Sequence, residues 1–478
     1  MIFNSFNFLV FYPILFLLYY AIPARYNHAR NMLLLTLSYI LYLNWKPVYA
    51  LILLFVTTVT YYGALSLQRK KDSVTAGWGG YKTLIYSIVI LSIGPLFFFK
   101  YYNFLNDSIA ALLAHCGLSF SLPGLNLMIP VGISFFTFQA LGYLWDVYYQ
   151  RIEAERNFLH YALFISFFPS IVAGPINKAS LMLPQIKTLR PYFDYDKAVA
   201  GMRMLLWGLF MKVVVADRVA LYVDTVFNSY ENYTGLTCLF ASFLYTIQIY
   251  ADFAGYSLMA IGVGKTLGFE LTENFRRPYF AVSVTDFWRR WHISLSTWLK
   301  DYVYIPIGGS RCSKMRNYWN IMITFFVSGI WHGANWTFIV WGMLHGIFQV
   351  VEKALGQQKC TYGKFGKTIK ILITFLLVNF AWVFFRMPSI TDSIAIIKRM
   401  FDFNLPMTLF MEMDTLAFSF LGIMFLFLKE VSDEYLPHKL AFFDNRKTWV
   451  RWVSYIFIIS YILLAGVFSS DQFIYANF

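Results

Sequence analysis

Residues 317–351 read NYWNIMITFFVSGIWHGANWTFIVWGMLHGIFQVV, thirty-five residues without one Asp, Glu, Lys or Arg. A spanning helix needs about 20 apolar residues, so this run is long enough for two short or tilted membrane helices. Further charge-free runs at 1–24, 47–68, 232–251 and 452–470 repeat the pattern. Composition agrees: 59% of the 478 residues are hydrophobic, 21% aromatic and only 13% charged, against roughly 25% charged in soluble domains. An all-α polytopic membrane protein is therefore predicted, and disordered, collagenous and disulfide-stapled secreted classes are excluded. The first run lacks the basic n-region of a cleaved signal and is expected to remain as a helix.

The net charge of +14 sits in short loops. Arg25 and Arg30 follow the first run, and Arg69, Lys70, Lys71 and Lys82 come two runs later, where the positive-inside rule places cytoplasmic loops. No nucleic-acid partner is implied, and the N-terminus is predicted outside. Cys116, Cys238, Cys312 and Cys360 show no ligand-like spacing, which predicts packing residues and no metal site.

Spans are predicted near 6–22, 31–43, 48–67, 83–99, 198–215, 236–262, 319–351, 371–385, 416–428 and 453–467, about eleven membrane segments in one domain. That domain divides into an N-terminal helix array (1–105), a less regular core (122–351) and C-terminal helices (367–478). The core holds Pro123, Gly124, Pro130 and Gly132 in an uncharged stretch, and irregular backbone at membrane depth has to be buried or line a cavity. Residues 157–177 repeat this with Pro169, Gly174 and Pro175. A full crossing there would put Lys178, Lys187, Arg190, Lys197 and Arg203 outside, so a broken or re-entrant element is predicted, a simple proline kink being the alternative.

Polar groups inside the core have to be compensated, since a charge at mid-bilayer costs roughly 2.5–3.5 kcal/mol on the lenient scale. Gln248 and Asp252, at i and i+4, share a helix face with Tyr250 and Tyr256 nearby; a polar clamp between helices is favoured over a catalytic carboxylate. Ser283 and Asp286 fit a capping box opening a helix on which Trp288, Trp291, Leu295, Trp298, Leu299 and Tyr302 form one face. With Arg289, Arg290 and Lys300 elsewhere on the wheel, that helix is predicted to lie along the membrane interface, with His292 on the apolar side. His332 and His345 are the only ordinarily titratable groups between Arg316 and Glu352. Gly329 and Gly333, and again Gly342 and Gly346, allow close helix approach, while Ser328 and Asn335 stand at i−4 and i+3 from His332, placed to orient its ring. A neutral buried imidazole can take a proton from a hydroxyl; a satisfied core histidine is the plainer reading of each, and His345 fits packing better than His332.

Motifs in register along nearly the whole chain resemble the membrane-bound O-acyltransferase (MBOAT) family, in particular its bacterial AlgI-like and DltB-like branch. They include IPVGISFFTFQALGYLWDVYY, FFPSIVAGPI, YTIQIYADFAGYSLMAIGVGKTLGFELTENFRRPY, DFWRRWHISLSTWLKDYVYIPIGG and SGIWHGANWTFIVWGMLHG. The resemblance implies a ring of spanning helices around a thinned centre with funnels from both faces. It matches His332 to the family's catalytic histidine and His292 to a second active-site position. Asn335, Ser328, Trp331, Trp288, Trp291, Gln248, Asp252 and Tyr256 are then candidates to line the substrate site or tunnel. Arg276, Arg277, Arg289 and Arg290 are candidates to attract donor phosphates. The implied activity is O-acetyl transfer from cytoplasmic acetyl-CoA, with no bound cofactor, across the bacterial inner membrane to a hydroxyl of an exported polysaccharide. A periplasmic SGNH, AlgX or AlgJ-type acetyltransferase is the implied partner. D-alanyl, lipid or protein acylation within the family, a proton-coupled transporter and an envelope scaffold are the rivals. A transporter predicts inverted repeats, and none is visible.

Overall fold

A computed structural model describes residues 3, 5–44, 46–72, 78–118, 122–188, 193–357, 363–408, 412–436, 443, 445–468 and 474. Arg190, Cys360 and residues 469–470 lie outside them. Among the described residues all regular structure is helical.

The first array comprises α1 (Phe6–Ala21), α2 (Asn27–Leu43), α3 (Pro47–Asp72) and α4 (Trp78–His115). Ser5 starts α1 by accepting from the Phe8 amide, the usual N-cap device, and the chain bends by 108° between α1 and α2. At a rise of 1.5 Å per residue, α4 is about 57 Å long, well beyond the hydrocarbon thickness. Its far end meets the irregular stretch after residue 121. There Asn106 bonds both backbone groups of Leu122, and Asn103 both of Leu125, so side-chain amides replace the missing helical ladder.

The core opens with α5 (Ile133–Tyr148), α6 (Phe158–Ser166), α7 (Phe168–Ile171) and α8 (Ala179–Lys187). Gly132 precedes α5 with φ 76°, and a Cβ there would sit 2.1 Å from the Ile171 carbonyl oxygen. The two Pro/Gly-rich interruptions thus pack on each other, and only glycine permits that approach. The stretch 157–177 is broken as predicted, into α6 and α7 with a turn after them, and α8 follows. Lys187, ending α8, pairs with Glu155 just ahead of α6 at 2.5 Å, so both ends of the element lie together and the chain turns back.

Next, α9 (Tyr195–Phe210) runs through a π-helical turn, Met211–Ala216, into α10 (Asp217–Asn228), with α11 (Gly235–Thr266) alongside. Then come α12 (Val284–Arg290), α13 (Ile293–Leu299), α14 (Lys314–His332), α15 (Trp336–Ala354), α16 (Lys364–Arg386), α17 (Ile390–Met400), α18 (Met413–Tyr435) and α19 (Thr448–Ala465). Among the described residues seven helices are long and apolar enough to cross a membrane, eight if the bent α1–α2 pair counts as one span. Helix length and apolarity alone therefore do not reproduce the expected eleven.

Two expectations need correction. The amphipathic helix predicted from Asp286 is two short helices, α12 and α13, broken at His292. Its apolar face is also not interfacial: Trp288, Trp291, Leu295, Trp298 and Leu299 are all buried in protein. Half of the capping box is present, Ser283 accepting from the Asp286 amide at 3.0 Å; Asp286 reaches back to the Val282 amide at 3.2 Å instead of that of the N-cap Ser283. Of the cysteines, Cys238 is buried, while Cys116 and Cys312 are exposed and do not pack.

Candidate active site

His332 ends α14. Its Nδ1 lies 2.7 Å from the Ser328 carbonyl oxygen; a carbonyl only accepts, so Nδ1 carries the proton and the lone pair of the neutral ring is on Nε2. Helix geometry thus orients this ring through the backbone of Ser328 rather than its hydroxyl. Asn335 does not orient it, because the helix stops at His332: Asn335 caps α15 by accepting from Thr337 and donates to the Pro388 carbonyl. The predicted close approach of α14 and α15 is present. A Cβ on Gly342 would fall 2.4 Å from the Phe325 carbonyl oxygen and one on Gly329 2.6 Å from that of Phe338.

Lys100, buried on α4, was not singled out in the sequence. Its Nζ donates to the carbonyls of Trp331 (2.6 Å) and His332 (3.3 Å) and to Ser134 Oγ (3.2 Å). Tyr101 donates to the Ile330 carbonyl. A cation at a helix C-terminus answers both the orphan carbonyls and the negative end of the dipole. Its signal was a lone lysine inside the apolar run IGPLFFFKYYNFL, just past the predicted end of a span.

His292 sits at the break between α12 and α13 with φ 43°. Asn274 holds the break: its carbonyl accepts from the Ile293 amide, and its Oδ1 lies 3.0 Å from His292 Nδ1 while accepting from Ser294 Oγ at 2.9 Å. The Arg276 amide donates to the Arg290 carbonyl. This clasp between 274–276 and 290–294 supplies hydrogen bonds that a continuous helix would otherwise make, which is why the predicted helix breaks. Since Asn274 Oδ1 accepts, His292 Nδ1 is the donor and its second nitrogen holds the lone pair.

The two histidines, forty positions apart, meet on one indole. Trp331 has its ring 4.9 Å from His332 and 5.9 Å from His292 by centroids. Trp341 lies 4.6 Å from His332 and 5.1 Å from His345. His345 accepts from Trp288 Nε1 at 3.3 Å, in keeping with a packing role. Trp291 packs into the same cluster, tilted against Trp382 at 5.0 Å between centroids. Glu352, also unanticipated, caps α12 by accepting from the Val284 and Thr285 amides, a carboxylate at a helix N-terminus.

Of several cavities near this cluster, two approach it from opposite ends of the bundle. One, of about 450 Å³, carries Arg203, Lys265, Arg276, Arg277 and Lys429 and also Glu270, Glu273, Glu430 and Asp433, with Asn274 in its wall, at the end bearing the basic loops. The other, of about 420 Å³, is bounded by Gln248, Asp252, Asn335, Phe338, Phe385 and Arg386. Neither reaches an imidazole: His332 is 1% and His292 0% exposed. Asn274 separates the first cavity from His292, and Phe385, 5.6 Å from His332 by ring centroids, separates the second from His332. The funnels that the resemblance implies from both faces thus stop one side chain short of the two histidines.

The remaining candidates divide. Arg276 pairs with Glu273, and Arg277 and Arg290 share Glu434 at 2.7 and 3.0 Å. Arg289 lies apart, on a third cavity with Lys300 and Lys353. The four arginines therefore form no single phosphate cluster. Asp252 is a clamp, as favoured: Lys212 bonds both it and Asp217 at 2.7 Å, all three buried. Gln248 faces the 420 Å³ cavity on the same helix side. Tyr250 instead donates to Glu430, and the Tyr256 ring lies 4.7 Å from that of Phe3, away from the cluster. Among the described residues no group of three or more His, Cys, Asp or Glu is arranged to hold a metal.

A helical, multi-pass bundle enclosing a histidine-bearing aromatic cluster between two polar cavities defines a membrane-embedded enzyme. The chain belongs to the membrane-bound O-acyltransferase family, MBOAT, whose model matches residues 85–397, and it is an acyltransferase. It is 37% identical over 412 residues to a probable alginate O-acetylase, AlgI, of Azotobacter vinelandii, covering 84% of this chain and 79% of that protein. It is 35% identical over 426 residues to a peptidoglycan O-acetyltransferase of Helicobacter pylori, covering 82% and 78%. A teichoic acid D-alanyltransferase of Bacillus subtilis is 26% identical over 310 residues, 62% of this chain and 76% of that protein. Membership sets aside the transporter and scaffold readings.

Proposed function

We propose that this enzyme is an O-acetyltransferase of the bacterial inner membrane. It takes acetyl from acetyl-CoA at the basic, cytoplasmic end and delivers it to a hydroxyl at the opposite, outer end, with the N-terminus outside. The acceptor lies on an exported polysaccharide, and a periplasmic acetyltransferase of the SGNH, AlgX or AlgJ type is the partner that completes transfer. The observation that carries this reading is the pair His292 and His332 on either side of Trp331, between cavities from both ends. Relatives named for alginate and peptidoglycan O-acetylation support acetyl and a polysaccharide over D-alanyl, lipid or protein acylation.

In the transfer, Nε2 of His332 takes the hydroxyl proton as the oxygen attacks the thioester carbonyl. The C–O bond forms, the C–S bond breaks, and the proton passes to the departing thiolate. General-base help of this kind contributes typically about 10²–10⁴ in rate. His292 has its N–H engaged by Asn274, so its second nitrogen, an acceptor, suits a hydroxyl donor as a positioning group better than it suits the carbonyl. Arg276 and Arg277 line the cytoplasmic cavity together with Arg203, Lys265 and Lys429, but Glu273 pairs with Arg276 and Glu434 with Arg277, so donor phosphates have to compete with these carboxylates. The substrates have to move Phe385 and the Asn274 clasp to meet. Labelled acetyl-CoA supplied to one face of proteoliposomes tests the reading: wild type releases CoA thiol and exports acetyl, and His332→Ala loses about 10² or more of that rate. Equal export by the variant refutes it.

A further inference from the structure

The third cavity, of about 530 Å³, lies in the size range of small-molecule sites, about 300–1,000 Å³. Trp288 and Arg289 on α12 and Ile293 and Thr297 on α13 line it together, so it straddles the break at Trp291 and His292 between those helices.

Its charged lining is of one sign. Arg289, Lys300 and Lys353 are in the wall, and no Asp or Glu is. The carboxylates closest along the chain are engaged elsewhere. Glu352 takes the Val284 and Thr285 amides, Asp286 pairs with Arg290 at 3.1 Å, and Asp301 pairs with Lys178 at 2.5 Å while lying 3.9 Å from Lys300. Lys353 bonds only a neutral group, the side-chain oxygen of Asn317. Residues 358–362, which follow α15 in sequence, add Lys359 and no carboxylate. In the 450 Å³ cavity, by contrast, four carboxylates share the wall, and Arg276 and Arg277 are already paired.

The cavity is also turned from lipid. Ile321 and Phe325 of α14 and Gln349 and Lys353 of α15 line it, whereas Ile323 and Val351, each two residues from a lining residue, are exposed. Two residues are about 200° apart around a helix, so the lining sides face away from the lipid-facing ones and a ligand enters from water. Lysine and arginine bind phosphate by charge-assisted hydrogen bonds, about twice as strong as neutral ones. We infer that the phosphates of the thioester donor dock in this cavity, on Arg289, Lys300 and Lys353, and that the thioester arm passes the break at His292. The inference rests on the proposed function, which supplies a phosphate-bearing donor at this end.

Calorimetry on the purified full-length protein in detergent tests it, with CoA, phosphate-free pantetheine and short-chain phosphatidylglycerol as probes. Arg289 and Lys300 are exposed, so the double variant Arg289→Gln, Lys300→Gln leaves the buried packing in place. CoA is expected to bind wild type about tenfold or more tightly than pantetheine does, and to lose about tenfold in the double variant. In turnover, KM for acetyl-CoA rises by a similar factor with kcat within about twofold, and acetyl-pantetheine is used as by wild type. Should the double variant not fold, Lys353→Gln reads the same wall. Unchanged CoA affinity, a loss confined to Arg276→Gln, an equal loss on acetyl-pantetheine, or lost phosphatidylglycerol binding with CoA unaffected overturns the inference. Thiol release that depends on His332, with wild-type CoA affinity in the double variant, overturns this inference alone. Phosphate-dependent CoA binding here without thiol release overturns the proposed function alone.

Discussion

Replacing Lys100 by Met removes a buried ammonium of similar length and tests whether the end of α14 has to be held for His332 to work. Three oxygens lose their donor: the Trp331 carbonyl at 2.6 Å, the His332 carbonyl at 3.3 Å and Ser134 Oγ at 3.2 Å. Hydrogen bonds to a charged donor are worth about 1.5–3 kcal/mol each. Against that loss, the variant no longer buries a charge, which costs roughly 2.5–3.5 kcal/mol at mid-membrane. The hydroxyl of Ser134 can turn elsewhere, so essentially two charged bonds are set against one desolvation and the net change in stability is small, on the order of 1–2 kcal/mol. Activity is more sensitive. With the carbonyls released, the last turn of α14 and its imidazole lose their anchor to α4 and α5, and a displacement of about 1 Å at a catalytic group can cost 10²-fold in rate. The expected outcome is a melting temperature within a few degrees of wild type and kcat for thiol release down about 10²-fold, with Lys100→Arg intermediate. Wild-type kcat in Lys100→Met, with the protein folded, refutes the anchoring role; a collapse of stability refutes the cancellation.

Lys212→Met leaves Asp217 and Asp252 buried and facing each other, and is expected to destabilise by about 3–5 kcal/mol. The triple variant that also carries Asp217→Asn and Asp252→Asn recovers most of that loss, as read by thermal unfolding in detergent. Gly342→Val forces α15 away from the Phe325 carbonyl, which lies 2.4 Å from the position of an added Cβ. Overpacking of this kind costs typically about 1–3 kcal/mol, measurable as a lowered melting temperature together with reduced activity, because α14 carries His332.

Much of the fold was legible because lipid leaves few choices. Apolar runs have to be helical, and the basic loops at Arg25, Lys70 and Lys82 order the ends. The turn-back at 157–187 was also visible, since a straight crossing there would have put Lys178 and Lys187 on the wrong side. What escaped depended on partners distant in the chain. Nothing within DFWRRWHIS announces a break at His292, because the groups that stabilise it belong to Asn274 and Arg276. Ser328 and Asn335 were assigned to His332 on the assumption of a continuous helix; the helix ends at the histidine, so only the i−4 relation survives. Arg277 and Arg290 looked like donor ligands until Glu434, far along the sequence, proved to hold both.

By itself, the order of residues determined the membrane class, the helical architecture and the family, and it singled out His292 and His332 as candidates, because hydropathy and motif spacing are properties of a linear string. The tertiary structure alone decided that His292 and His332 share Trp331, that Lys100 anchors the end of α14, that Lys212 compensates Asp217 and Asp252, and that two cavities approach without meeting. These facts concern which buried polar group answers which. In a low-dielectric interior each such group has to find a partner wherever the fold brings one, and sequence distance says little about where that will be.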